Sequence, residues 1–230
     1  MSNIFNVIRK VRAILMRNLI TREGYLEKNS IQPVSTKYGF DRGKPIDRHF
    51  IEKFIGEHKH LVKGHCLEVV DDTYIRMFGG KAVEKADVID IFVTKQASIH
   101  GDLRDLTNVV KSNTFDCIII TQTLHVNDDF ESAIKECYRI LKPGGTMLAT
   151  FPTISPTWNL KINMWRLSVK SANYVFSKYF DKSNIRVKGY GSKVSSLLFW
   201  TGFAIEDISP SDLEKQDESF PTLIGIKATK

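Results

Sequence analysis

The chain contains no apolar run of about eighteen residues, the length a bilayer-spanning helix needs. Met1 to Leu19 also lack the short basic head, apolar block and small-residue cleavage site of a secretory signal, which points to the cytoplasm. Three cysteines, Cys66, Cys117 and Cys137, are too few and too scattered for a disulfide framework and read as free thiols. No His/Cys/Asp cluster has metal-ligand spacing, so no metal is expected. No Ser/His/Asp or Cys/His arrangement stands out, which sets hydrolases aside. A Gly-x-Gly-x-x-Gly after the first strand-like segment is missing, and with it the signature of a dinucleotide oxidoreductase. Basic runs interleaved with aromatics are missing too, so nucleic acid is not an expected partner.

What is present fits one globular domain. The 230 residues are 42% hydrophobic and 26% charged, enough to bury a core without staples. The net charge of +7 is partly local, since Arg9, Lys10, Arg12, Arg17 and Arg22 all precede the first acid, Glu23. Ile4, Val7, Ile8, Val11, Ile14, Leu15 and Leu19 recur at helical spacing among these basic residues. The reading favoured by frequency packs this stripe against the body or a second subunit; the other lays the helix on an anionic membrane surface. Pro33, Gly39, Gly43 and Pro45 then mark an irregular stretch, and Asp47 caps a helix carrying Phe50, Ile51, Phe54 and Ile55. The expected division is therefore an N-terminal helix with a lid-like segment, 1–46, and a main domain, 47–230.

From Cys66 onward short apolar runs alternate with helical patterns. Cys66–Val70, Val88–Phe92, Phe115–Thr121 and Thr146–Phe151 read as strands buried on both faces. A helix over Asp128–Leu141 turns Phe130, Ala133, Ile134, Cys137 and Ile140 inward, and Lys142-Pro143-Gly144-Gly145 ends it. Strand-like segments follow near Ile185–Gly189, Phe203–Ile208 and Leu223–Ala228, with helices over Val169–Phe180 and Ser192–Trp200 between the first of these and their neighbours. The alternation predicts an α/β fold with a mostly parallel sheet of seven strands and helices on both faces.

Ligands of open α/β sheets bind outside the carboxyl ends of the strands. There the sequence places Glu68 and Asp71, then Asp90, then Asp102 and Leu103, then Gln122 and His125. Several acids and a histidine on one sheet edge suit a nucleoside, with one carboxylate on a ribose diol and another group on the base.

These residues resemble the class I S-adenosylmethionine-dependent methyltransferases, from about Gly64 to Lys230. The resemblance rests on Leu67-Glu68-Val69-Val70-Asp71, Asp90, Gly101-Asp102-Leu103, Phe115 to Ile119, Leu124-His125-Val126, Arg139-Ile140-Leu141-Lys142-Pro143-Gly144-Gly145 and Gly202 to Glu206. It implies a Rossmann-like fold and S-adenosylmethionine as cofactor. Glu68 and Asp71 would serve the methionine end, Asp90 the ribose, Asp102 and Leu103 the adenine, and Gln122 the floor beside the sulfonium. Phe40 to Arg48, Asp116 to Leu124 and Trp165-Arg166 resemble more narrowly a bacterial subgroup found with glycosyltransferases of surface polysaccharide synthesis. A sugar or glycan hydroxyl is the acceptor this implies, and a glycosyltransferase the partner.

Val70 departs from the pattern, because that family places glycine there for close backbone approach to the cofactor. Its side chain would crowd the methionine tail unless the loop shifts. A non-catalytic module with a weakened cofactor site is the alternative this raises. For catalysis, methyl transfer needs alignment and, for an alcohol, a general base. His125 is the candidate base, weighed against a packing role. Arg42, Arg48 and Arg166 are candidates to hold a phosphate or carboxylate of the acceptor, weighed against surface ion pairs. Asp128 and Asp129 read as the cap of the following helix.

Overall fold

The computed structural model describes residues 2–19, 21, 24, 32–157 and 163–230, with side chains in the first helix described only at 8 and 11–18. These residues group into two compact units, one drawn from 1–50, 153–160 and 189–223, the other from 51–152, 161–188 and 224–230. The grouping thus differs from a division at residue 46, because two later stretches join the N-terminal fifty residues.

The second unit is built on a seven-stranded sheet. Its strands are β1 (Gly64–Val69), β2 (Val83–Asp90), β3 (Ile99–His100), β4 (Phe115–Thr121), β5 (Leu141–Pro152), β6 (Ile185–Tyr190) and β7 (Leu223–Thr229), in the order β3-β2-β1-β4-β5-β7-β6. The pairs β1/β2, β1/β4, β2/β3 and β4/β5 are parallel. Gly144 pairs with Lys230, and Thr146 with Thr229, so β7 runs back against β5. Strand number and mostly parallel character match the sequence reading, but the set of strands differs. Phe203–Ile208 contains a 3-10 turn at Ile205–Asp207 instead of a strand, and Ile99–His100 supplies the seventh. The backbone N–H of Ala204 is taken by the Asp207 side chain at 2.9 Å, a local bond that favours a turn over a ladder.

The central strands are buried on both faces: Leu67, Ile118, Ile120, Met147 and Ala149 on one and Cys66, Cys117, Ile119 and Leu148 on the other have no solvent exposure. Helix α4 (Phe130–Ile140), numbered fourth in chain order after α1 (Ser2–Leu19), α2 (Ile46–Glu57) and α3 (Thr73–Phe78), buries Phe130, Ala133, Ile134, Cys137 and Ile140 against this core. Each large side chain so buried contributes about 1.5–3 kcal/mol. Of the two candidate caps, Asp128 and Asp129, it is Asp129 that accepts from the Ser132 N–H. Helix α5 (Val169–Phe176) stops a turn before Phe180. The three cysteines are free and buried.

In the first unit, helix α6 (Lys193–Thr201) starts from a Ser192 cap whose hydroxyl accepts from the Ser195 N–H, and the four-residue α7 (Pro210–Leu213) follows the 3-10 turn. Arg42 is the anchor here. It is fully buried, its Nε and Nη2 donate to Asp207 at 2.9 and 2.8 Å, and its Nη1 donates to the Met16 carbonyl at the C-terminal end of α1. The guanidinium also lies 5.2 Å from the Phe203 ring centre, and Arg17 donates to the Arg42 carbonyl at 2.5 Å. A cation on the last carbonyls of a helix satisfies groups that have no partner within it. Arg42 is thus spent inside the fold, which corrects its assignment to an acceptor.

Breaking a buried pair leaves an uncompensated charge, so Asp207→Ala is expected to cost about 3–5 kcal/mol in urea unfolding. A loss below about 1 kcal/mol would show that Arg42 does not depend on it.

Candidate active site

Strand order reverses between β1 and β4, so the crevice of the second unit opens where those two strands end. Val70 follows β1. Its N–H still joins the Ile89 carbonyl at 2.9 Å, yet its φ is +75°, a left-handed backbone that a β-branched residue adopts only under strain. Val70 thus adopts a conformation that suits glycine, and its side chain is 54% exposed. Gln122, just past β4, also has a positive φ of +49°, and its N–H donates to the buried Thr150 hydroxyl at 3.1 Å. Both strands beside the reversal thus end in a left-handed residue, and stored strain of this kind clusters at functional sites.

The tight exit from β1 brings Glu68 under the start of α3. Its carboxylate accepts from the Tyr74 N–H at 3.0 and 3.1 Å and from the Ile75 N–H at 2.8 Å. These are the donors an N-cap normally takes, and the formal cap, Asp72, makes no such bond and pairs with Arg76 instead. Asp71 takes the remaining first-turn donor, Thr73 N–H, at 2.9 Å. Glu68 is thus a strand residue that holds the loop, and its oxygens are directed at backbone amides. Burial pushes its carboxyl up to about 7, against the pull of the two amides, with Asp71 and Asp72 adding to the rise.

Asp90 ends β2, buried, with one oxygen accepting from the Phe92 N–H at 3.0 Å. Ile91, Phe92 and Val93 follow it as exposed apolar side chains. The 102–106 loop sits beyond β3. Leu103 is buried, while both oxygens of Asp102 accept from Arg104, which also reaches Asp128 at 2.6 Å. Arg104 holds the Asp102 carboxyl below its ordinary range, chiefly through that hydrogen bond. Arg104 makes two contacts on each Asp102 oxygen, so a base amino group would have to displace or share one of them. Sequence reasoning missed Arg104, and also Glu136, whose Oε2 accepts from the Leu106 N–H and from Arg139. The three-residue step from Glu136 to Arg139 on α4 was the available signal.

His125 lies in a 3-10 turn after β4, buried, and its Nδ1 has no hydrogen-bond partner among the described residues. Its carbonyl accepts from the N–H groups of both Met164 and Trp165, and Trp165 Nε1 donates to Asn127. That strap carries Arg166, whose charge acts on the imidazole. Burial first, and Arg166 second, lower the His125 pKa to about 4, so the ring is neutral near pH 7. Arg166 itself is steadied by Asn163 and the Trp165 carbonyl. The second unit thus brings together Glu68, Val70, Asp71, Asp90, Asp102, Leu103, Gln122, His125 and Arg166. Arg48 belongs to the first unit, half-buried in the first turn of α2.

Among the described residues, Glu68, Asp71 and Asp90 have no lysine or arginine partner, although three acids on one edge repel one another. That excess of negative charge fits a cationic ligand, and S-adenosylmethionine carries a sulfonium and an ammonium. Asp90 would take its ribose hydroxyls, the exposed Ile91-Phe92-Val93 lip its adenine face, and the Val70–Asp71 turn its methionine end.

Val70→Gly removes about 1–2 kcal/mol of backbone strain and gives back up to about 1 kcal/mol in unfolded-chain entropy. The expected outcome is a net stabilisation of about 0.5–1 kcal/mol in urea unfolding, with tighter cofactor binding; a destabilised variant would contradict the strain. Titration supplies a second check. The ordinary values are 4.5 for a glutamate and 6.5 for a histidine. Between them the folded chain holds a proton on Glu68 and none on His125, and the unfolded chain the reverse. The two proton counts cancel, so this pair leaves stability nearly independent of pH in that window. Relative to wild type, Glu68→Gln should lose about 3 kcal/mol as pH falls from 6.5 towards 4, and His125→Gln about 3 kcal/mol as pH rises from 4.5 to 7. Profiles parallel to wild type would contradict both shifts.

Residues 79–149 match the family model described as "Methyltransferase domain". Over 85 residues the chain is 38% identical to the demethylmenaquinone methyltransferase of Staphylococcus epidermidis, covering 37% of this chain and 34% of that protein. The match thus spans about a third of the length of the curated relatives. Among solved structures, an S-adenosylmethionine-dependent methyltransferase from Archaeoglobus fulgidus aligns with a TM-score of 0.55 at 10% identity, over 80% of this chain and 94% of that one. One from Mesorhizobium loti aligns with a TM-score of 0.53 at 11% identity, over 80% and 98%. The sheet order and the matched stretch agree: residues 79–149 resemble a methyltransferase domain, on a sheet with the fold of class I S-adenosylmethionine-dependent methyltransferases.

Proposed function

We propose that the protein transfers a methyl group from S-adenosylmethionine to a hydroxyl of a sugar or glycan in surface polysaccharide synthesis, with a glycosyltransferase as partner. The observation that carries the methyl-transfer reading is the set Glu68, Asp71 and Asp90 at the β1 and β2 ends, which has no lysine or arginine partner among the described residues. The bound cofactor supplies an electrophilic methyl on its sulfonium. The chain's own residues align it: Glu68 fixes the turn, Asp90 fixes the ribose, and Gln122 closes the floor beside β4. His125, neutral and in the tautomer that leaves the Nδ1 lone pair unprotonated, takes the hydroxyl proton at Nδ1 as the acceptor oxygen attacks the methyl and S-adenosylhomocysteine leaves. Arg166 beside it holds a phosphate or carboxylate of the acceptor, and such an anion would also raise the His125 basicity by offsetting the Arg166 charge. The sugar acceptor rests on the resemblance of Phe40 to Arg48 and of Trp165-Arg166 to the polysaccharide-associated subgroup.

A second reading has one observation behind it. The 38% identity over 85 residues to a demethylmenaquinone methyltransferase favours a quinone-type acceptor. That chemistry needs no sugar contacts, and the same cofactor edge serves it.

The test is production of S-adenosylhomocysteine by the full chain with nucleotide sugars, glycan fragments and demethylmenaquinone offered separately. Stimulation by a sugar acceptor supports the first reading, and stimulation by the quinone alone overturns it. His125→Gln is expected to lower turnover about 10²–10⁴-fold while sparing cofactor affinity. In wild type the rate should hold constant from pH 8 to about 5, because His125 loses its proton near 4. A rate that halves near pH 6.5, or near-normal turnover of the variant, would remove His125 as the base.

A further inference from the structure

Helix α1 is turned inside out. Ile8, Val11 and Leu15 follow one another at three- and four-residue steps, Ile14 borders them, and their exposures are 57%, 51%, 57% and 49%. The half-buried positions of the helix are Ala13, Met16 and Arg17, on the opposite side. The expectation that the apolar stripe packs against the body is therefore overturned for the described side chains; those of Ile4, Val7, Arg9, Lys10 and Leu19 lie outside them. The orientation is held by polar bonds. Arg42, itself anchored on Asp207, grips the Met16 carbonyl, and Arg17 returns a bond to the Arg42 carbonyl. The helix is fastened by its C-terminal end, with its hydrophobic face outward.

The charge on this helix is of one sign. Residues 1–22 hold five basic side chains and no acid, whereas the other 208 residues carry 28 basic against 26 acidic. Five of the seven net positive charges thus belong to the segment that bears the exposed stripe. Exposed Arg12 flanks the stripe directly. An apolar face with basic borders and no acid suits a surface that is both apolar and anionic, which is the boundary between headgroups and acyl chains of an acidic phospholipid layer. A second copy of the chain suits it less well, since two such helices would bring like charges together. No helix among the described residues is long and apolar enough to cross a membrane. We propose that α1 is a peripheral membrane-docking element that lies in the surface of anionic phospholipid bilayers, inserting Ile8, Val11, Ile14 and Leu15 between headgroups.

The test is co-sedimentation of the full chain with phosphatidylcholine vesicles prepared with and without phosphatidylglycerol. The expected result is binding to the mixed vesicles, little to phosphatidylcholine alone, and weakening with added salt. Arg12→Gln should weaken binding about fivefold, the worth of one basic residue near an anionic surface. Ile8→Glu with Leu15→Glu should weaken it more than tenfold, since each loses apolar insertion and adds a charge of the wrong sign, roughly a kcal/mol apiece. Because these side chains point outward, that double variant should keep its urea midpoint, which separates lost docking from lost folding. Failure of the folded wild type to bind mixed vesicles would overturn the proposal, as would binding that the double variant retains. A concentration-dependent dimer that the double variant loses, with no vesicle binding by wild type, would assign the stripe to a second copy.

Discussion

The arrangement of the cofactor edge depends on one backbone constraint, the left-handed turn at Val70. A strand that ends at the middle of a parallel sheet must hand the chain to a helix within a few residues. Here the turn lets α3 begin two residues after Asp71, directly above Glu68. Glu68 then supplies from the strand what Asp72 does not supply from the cap, and the first turn of α3 has all three of its donors met by carboxylates. The N-terminus of that helix is consequently closed to an anionic ligand. What the edge still offers is uncompensated negative charge at Asp71, Asp90 and a partly protonated Glu68. Those features select a cationic ligand over a phosphate.

The strain at Val70 has a physical counterweight. Its N–H bond to Ile89 keeps the β1/β2 ladder intact, and Glu68 ties the far side of the turn to α3. Two anchors on either side over-determine the backbone, which is the condition under which about 1–3 kcal/mol of local strain persists. Gln122 repeats the device on β4, where the Thr150 hydroxyl holds the N–H of the left-handed residue. His125 sits just beyond, buried and pushed towards neutrality. The acidic side of the crevice therefore comes from the ends of β1 and β2, and its neutral basic group from the turn after β4, across the order reversal.

Much of this was legible in residue patterns. Helix Phe130–Ile140 and the strands around Leu67, Ile118 and Leu148 follow from apolar periodicity, because core burial dictates it. The Lys142 to Gly145 stop and the acids at strand ends were equally plain. The seventh strand was not. Ile99–His100 is two residues long and carries no period, while Phe203–Ile208 has strand-like composition that Asp207 overrides by bonding to its own backbone. Arg42 was misplaced because sequence cannot show a guanidinium's partner 165 residues away. The stripe of α1 follows from helical periodicity, but packing against the body does not hold for its described side chains, since periodicity gives a face and never its direction. The partial occupation of Asp102 by Arg104 needed coordinates, being a two-residue step that many loops contain.

The central claim is that the uncompensated carboxylates at the β1 and β2 ends bind S-adenosylmethionine across the Val70 turn. Calorimetric titration of wild type and Asp90→Ala with S-adenosylmethionine and S-adenosylhomocysteine addresses it most directly. The account predicts micromolar binding of both ligands to wild type, the cationic one favoured as salt is lowered, and loss of about tenfold or more for each in Asp90→Ala. A folded wild type that binds neither ligand, or an Asp90→Ala that binds both unchanged, would contradict it.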